Sequence, residues 1–550
     1  MPSPPSTDGQ TAGAAGVRGR EWRLVVALWV ACTGLYWLTA RAQLYAGDDM
    51  VYLVVARNWL EHGVPKFGLP GEELTVSKYW LGQILLDLPV APLLDRALAH
   101  DPGQRPQWLA MLLLGGYAAA WGAAAVALLY LLARQLGLRL GSSLGVALLY
   151  AVATMNWPYS QHLFADSTMA TALLLALWGW LRYRQGGSRW ALLAGGLGVA
   201  LLGLCKPTAA PLAAIVALAI AGTLWRRRTG VWPWLAAAGP GLLAVAAILT
   251  YNQWRYGTPW ALGYAEGHDP ILGFSNPALA GLFGLVASSG KGVLWYNPVL
   301  FLGLWGCGRL WRREPAAAWL GAALVGVNLA LYCRWWAWPG DWAWGPRYLV
   351  VILPLLLLPA GFALERLGEL ATGWQRRAAI AACAALVACS VAVQLLAVVT
   401  LSADYNQLLV GELHGTVFRD DRLGVPGRPL RDDQLLAHYV PDFSPLAAQL
   451  WMTRVAWHAR GDWQSRYQRP PWYPLNPAWV PVAGAHCPFS VQPWWLFVWR
   501  YGLPHAGALL GLAALLLALT AAAAGWLRRE FARNRGSGAT AALAPSAQSR

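Results

Sequence analysis

The chain is short of charge, and shorter still of lysine. Only 12% of its 550 residues are charged, and of 42 basic side chains just four are lysines: Lys66, Lys78, Lys206 and Lys291. So little charge excludes one large soluble core wrapped in polar surface. A formal charge of +16 invites a nucleic-acid partner, but such a partner needs the basic residues gathered into one stripe. Here arginines recur in short clusters between apolar runs, so no nucleic acid is expected. The seven cysteines show no paired spacing, which excludes a disulfide framework and a Cys/His metal site. There is no glycine-rich phosphate loop and no internal repeat. A soluble nucleotide-sugar enzyme is also disfavoured, because its Asp-x-Asp motif belongs to an α/β domain of which the sequence has no trace.

What the chain has is apolar sequence, 57% of residues, arriving in runs of about 17 to 25. The expected fold is all-α, a polytopic membrane protein with about twelve spans at roughly 24–40, 108–133, 144–157, 168–181, 190–204, 209–224, 232–250, 293–310, 316–332, 348–364, 378–400 and 503–526. Alternate connections hold Arg134 and Arg139, Arg182 and Arg184, Arg226 to Arg228, Arg309 and Arg313, and Arg366 and Arg377, and the C-terminal tail holds Arg528 and Arg529. By the positive-inside rule both termini and these connections are cytoplasmic. A cleaved signal peptide ending near Ala40 is the other reading of the first run, less consistent with the alternation that follows.

This divides the chain into a disordered cytoplasmic tail (1–20), a transmembrane region (21–400), an outer segment (401–502), a last span (503–526) and a second cytoplasmic tail (527–550). The first outer loop, 41–107, carries helical spacing after Asp48 and a proline-broken apolar stretch after Tyr79, both read as interfacial helices. Paired tryptophans such as Trp335 and Trp336, Trp338, Trp342 and Trp344, and Trp494 and Trp495 read as interfacial anchors.

The chemistry-bearing residues fall on the predicted outer face. Asp48 and Asp49 follow the first span directly, Asp166 begins the fourth, and all four lysines lie outside. Carboxylates at a membrane boundary are costly to desolvate, which marks them as candidates for chemistry. A carboxylate can take the proton of an acceptor hydroxyl, and an ammonium can neutralise a departing phosphate. Bland readings stand beside these: either acid could cap a helix, and four lysines could fall outside by chance.

The ordered landmarks Gly47-Asp48-Asp49 with Tyr52, Lys78-Tyr79-Trp80-Leu81, Asp166 and Cys205-Lys206-Pro207 resemble those of the GT-C membrane glycosyltransferases. The resemblance is strongest to the protein O-mannosyltransferase and lipid A aminoarabinose transferase branch. It extends through Ser288-Ser-Gly-Lys291 with Tyr296, and through Trp344-Gly-Pro-Arg347-Tyr348. One departure is Val51, where aminoarabinose transferases place an arginine.

The resemblance implies a GT-C-like fold and a glycosyltransferase that moves a sugar from a polyprenyl-phosphate-linked donor to a lipid, glycan or protein acceptor. The site would face outward from a bacterial plasma membrane. Asp48, Asp49 and Asp166 would be the catalytic carboxylates, with Asp48 the base. Lys78, Lys206, Lys291 and Arg347 would bind the donor phosphate, and Tyr52, His162, Tyr296 and Tyr348 would position substrate. No cofactor is expected; a divalent metal on the three aspartates is disfavoured for want of histidine and cysteine ligands nearby. The competing class is a transporter or flippase for a lipid-linked saccharide, which would need polar, broken helices near the bilayer midplane.

Overall fold

The structure, a computed structural model, describes residues 8–41, 48–69, 71–98, 105–261, 263, 273–340, 343–400, 405, 437–458, 491–501 and 505–542. Among these the chain is all-α apart from one two-stranded hairpin, β1 (Lys66–Phe67) with β2 (Thr75–Val76). Six helical stretches are long and apolar enough to cross a bilayer: Leu109–Gln135, Pro207–Arg226, Val231–Tyr256, Pro315–Arg334, Trp374–Val399 and Ala506–Asn534. The protein is of the multi-pass membrane type.

In chain order the helices that build the bundle are α1 (Asp8–Leu38), α2 (Asp48–His62), α3 (Leu81–Asp87), α4 (Leu94–Leu98), α5 (Arg105–Gln135), α6 (Leu140–Val152), α7 (Asn156–Tyr159), α8 (Ala165–Gly186) and α9 (Arg189–Cys205). They continue as α10 (Ala210–Arg226), α11 (Val231–Tyr256), α12 (Ala278–Val286), α13 (Val293–Tyr296), α14 (Leu300–Arg313), α15 (Pro315–Arg334), α16 (Leu353–Leu357), α17 (Ala360–Glu369) and α18 (Trp374–Val399). Beyond them lie α19 (Pro445–His458), α20 (Trp494–Tyr501) and α21 (Ala506–Ala542). Helix α1 begins inside the stretch expected to be a tail, and α21 runs on past residue 526.

Three expected spans are interrupted: 144–157 leaves α6 at Val152 and re-forms only as the turn α7 at Asn156, and the other two break at proline. Residues 293–310 form the single turn α13, a break at Asn297-Pro298, and then α14; residues 348–364 divide into α16 and α17 around Pro359. Proline lacks the N–H that an unbroken helix needs and its ring clashes with the preceding turn, so each run stops there. In helix α2, Tyr52, Leu53, Val54, Val55, Ala56 and Asn58 are all buried, so protein surrounds its middle.

Helix α8 sits centrally, and α9 lies against it at close range. A Cβ at Gly179 would meet the Gly195 nitrogen at 2.4 Å, and one at Gly198 the Ala176 nitrogen at 2.5 Å, so only small residues permit this backbone approach. Leucines 218, 242, 243 and 517 on α10, α11 and α21 remain exposed, as lipid-facing positions do. At one end of the bundle the arginine clusters pair with acids. Arg134 Nε meets Glu21 at 2.8 Å, Arg184 meets Glu314 at 3.4 Å, and Arg313 meets the buried Glu365 at 2.7 Å. Helix α8 has Arg184 in its last turn and Asp166 in its first. Its 22 residues span about 33 Å, a bilayer's hydrocarbon thickness, so Asp166 and the arginine clusters lie at opposite ends.

Several tryptophans expected at the interface are inside the protein: Trp338, Trp344 and Trp494 are all buried. The Trp494 indole donates to the Trp37 carbonyl at 3.2 Å, and backbone bridges Arg41 to Pro493 and Thr400 to Val491 tie the stretch that begins at Val491 to the bundle.

Candidate active site

Four stretches meet at the Asp166 end. Helix α9 stops at Cys205 because Pro207 disfavours a helical residue before it; Lys206 is accordingly extended, at φ −153° and ψ 148°. Helix α3 packs on that turn. A Cβ at Gly82 would lie 2.7 Å from the Leu204 carbonyl carbon, so a side chain there would push the Lys78-Tyr79-Trp80 segment away from Lys206. Asp48 is the first residue of α2, and Arg347 opens a 3-10 turn after Pro346.

These elements bring two carboxylates and two cations together. Arg347 Nη2 donates to Asp48 Oδ2 at 2.5 Å, and its Nε donates to Asp166 Oδ2 at 3.0 Å. Lys206 Nζ donates to Asp166 Oδ1 at 3.4 Å. The Tyr79 hydroxyl donates to Asp48 Oδ1. Asp166 therefore uses both oxygens on cations, and no cap hydrogen bond forms at the start of α8, whose N-cap residue is Phe164. The Arg347 guanidinium lies 4.1 Å from the Phe164 ring centre, and His162 stacks on Phe164 with ring centres 4.7 Å apart.

Burial is graded across the cluster. Side-chain exposure is 1% at Asp166, 5% at Arg347, 8% at Lys206 and 28% at Asp48, so the open side is Asp48's. Burial alone would raise the Asp48 pKa. The charges of Arg347 and Lys206, with hydrogen bonds from Tyr79 and Arg347, outweigh it and hold the carboxyl well below the usual range.

The other expected residues divide between the cluster and its supports. Lys78 is exposed beside the cluster, its ammonium 5.5 Å from the Tyr79 ring centre. Tyr52 is buried against Tyr79, ring centres 4.7 Å apart. Tyr348 stacks on Tyr332 at 4.2 Å, nearly parallel, and Lys206 Nζ is 5.9 Å from its centre. Lys291 instead braces a loop, donating to the Ala343 and Gly345 carbonyls at 2.6 and 3.2 Å. Tyr296 donates to the Gly290 carbonyl at 2.9 Å beneath the same loop. The side chain of Asp49 lies outside the described residues.

Sequence reasoning missed Arg255. Buried at the end of α11, it donates from Nη1 to the carbonyls of Ser77 and Tyr79 at 2.7 and 2.8 Å, on either side of Lys78. Its Nη2 donates to Asn252 at 2.6 Å. The available signal was an arginine at the end of a span opposite to the arginine clusters. Tyr79, whose hydroxyl reaches Asp48, was legible as part of a motif but not as a contact.

No family model matches the chain, and no curated protein matches it. Among solved structures, it is similar to the apo crystal structure of ArnT from Cupriavidus metallidurans, with 13% identity and a TM-score of 0.46 over 78% of this chain and 69% of that one. It is also similar to an Archaeoglobus fulgidus oligosaccharyltransferase tethered to an acceptor peptide, with 13% identity and a TM-score of 0.36 over 83% of this chain and 60% of the other.

Proposed function

We propose that the protein is a membrane glycosyltransferase that moves a sugar from a polyprenyl-phosphate-linked donor to a lipid, glycan or protein acceptor at the outer face of a bacterial plasma membrane. The observation that carries this reading is the single cluster of Asp48, Asp166, Arg347 and Lys206 at one end of a lipid-facing bundle. It puts a partly open carboxylate beside two buried cations, and so pairs a base with a seat for a leaving phosphate.

In the reaction an acceptor oxygen bonds to the anomeric carbon as the bond from that carbon to the phosphate oxygen breaks. The acceptor proton passes to Asp48. The electron pair leaves on polyprenyl phosphate, whose charge Arg347, Lys206 and the exposed Lys78 neutralise. Asp166 holds the two buried cations in place and takes no proton. Transporters place charged groups along a path through the midplane, whereas this cluster lies at one end of α8.

The test is transfer from a panel of polyprenyl-phosphate sugars by purified protein in lipid nanodiscs. Asp48→Asn should lower turnover by roughly a hundredfold or more while polyprenyl phosphate still binds. Wild-type turnover in that variant, or movement of lipid-linked sugar across vesicles without transfer, would overturn the reading in favour of a transporter.

A further inference from the structure

Arg347 has two carboxylate partners of different kinds. Asp166 is closed in, with its other oxygen on Lys206, whereas Asp48 stands on the open side with its other oxygen on the Tyr79 hydroxyl. Both Asp48 oxygens are thus engaged, and one donor of the Arg347 fork is covered by the group that must act as base. A phosphate arriving from the open side meets Arg347 where Asp48 occupies it. A guanidinium presents its fork to a phosphate as readily as to a carboxylate, and the donor's phosphodiester, with a single negative charge like the carboxylate's, offers two free oxygens to it.

Building on the transferase reading, we propose that the donor phosphate takes Arg347 from Asp48, so that donor binding itself releases the base to the acceptor hydroxyl. Asp166 keeps its hold on Arg347 Nε and Lys206 throughout, which leaves the cation fixed while its second partner changes. When the acceptor oxygen has bonded to the anomeric carbon, its proton rests on Asp48 and the phosphate remains on Arg347. Loss of that proton to water restores the carboxylate, which retakes Arg347 and helps expel polyprenyl phosphate. Arg347 thereby acts as a positioning residue for the base as well as a phosphate contact.

The experiment measures binding of a long-chain polyprenyl monophosphate, without sugar, to the full chain in nanodiscs. Asp48→Asn removes the competitor and should tighten binding on the order of tenfold. Removing a negative charge near a phosphate would also tighten binding by plain repulsion, so the substitution is repeated in Arg347→Gln. The gain should shrink to about twofold or less there if exchange is its cause. Where Arg347→Gln does not fold, wild-type pH profiles decide.

Facing Asp48 are Tyr79, Arg347, Lys206 and, through them, Asp166. Exchange predicts that kcat for the bound complex loses activity on acidification in the ordinary carboxylate range, while kcat/KM for the donor holds to lower pH. Unchanged or weaker binding in Asp48→Asn, an equal gain with and without Arg347, or coincident acid limbs would each overturn the exchange and leave the transferase reading standing. Failure of the wild type to bind any polyprenyl phosphate would overturn both.

Discussion

Replacing Asp166 by asparagine tests the cluster most directly. The formal charges of Asp48, Asp166, Arg347 and Lys206 cancel, and the substitution leaves one uncompensated positive charge among side chains that are 5% and 8% exposed at the two cations. Asparagine keeps one acceptor oxygen but turns an N–H₂ group toward either Arg347 or Lys206, which already occupy the two carboxylate oxygens at 3.0 and 3.4 Å. Losing one partner of a buried ion pair costs about 3 to 5 kcal/mol, and the remaining Asp48 places the expected cost near the lower end, about 3 kcal/mol. Unfolding of the purified protein, followed by circular dichroism as denaturing detergent is added, measures it. Pairing the substitution with Lys206→Met separates this cause from general damage. The double variant no longer buries an unpaired ammonium, so it should be destabilised by less than the sum of the single variants, by at least about 1 kcal/mol. Additive losses, or a stable Asp166→Asn protein with full transfer, would refute the assignment of Asp166 as the holder of both cations.

Arg255→Ala removes two charge-assisted hydrogen bonds to the Ser77 and Tyr79 carbonyls, and turnover should fall at least tenfold although Arg255 is placed to touch backbone rather than donor. Arg255→Lys should rescue little, since one ammonium cannot span Ser77, Tyr79 and Asn252 as the fork does; recovery to near wild type in the transfer assay would count against this. The third expectation concerns acid. Because the folded-state pKa of Asp48 is depressed, its contribution to stability is complete above the unfolded carboxylate value of about 3.9 and fades as pH falls toward the folded value. Thermal stability in detergent should therefore decline from about pH 5 downward, less steeply in Asp48→Asn; parallel declines would show that the ion pair adds no acid-sensitive stability.

The helical character of the chain was legible because desolvated backbone in a bilayer must satisfy its own hydrogen bonds, which leaves an apolar run little choice but a helix. The same physics placed arginine clusters at one end and Asp48, Asp166 and Lys206 at the other, so the kinds of residue in the site could be read from composition and order. Proline-broken runs were less legible, since hydropathy counts apolar atoms and not missing N–H groups; hence 293–310 and 348–364 read as unbroken.

By itself the sequence determined the fold class, the two-ended distribution of charge and the candidate acids and lysines. Tertiary structure alone decided the pairings: Asp48 meets Arg347 across 299 residues, Asp166 meets it across 181, and Arg255 reaches the Tyr79 carbonyl across 176. It also decided that Lys291 braces a loop while Arg347 bridges both acids, and that Trp338, Trp344 and Trp494 are buried. Local sequence fixes which groups a segment offers and whether it is helical. Which groups meet depends on helix contacts between distant segments, such as the close approach at Gly82, and on the need of every buried charge for a partner.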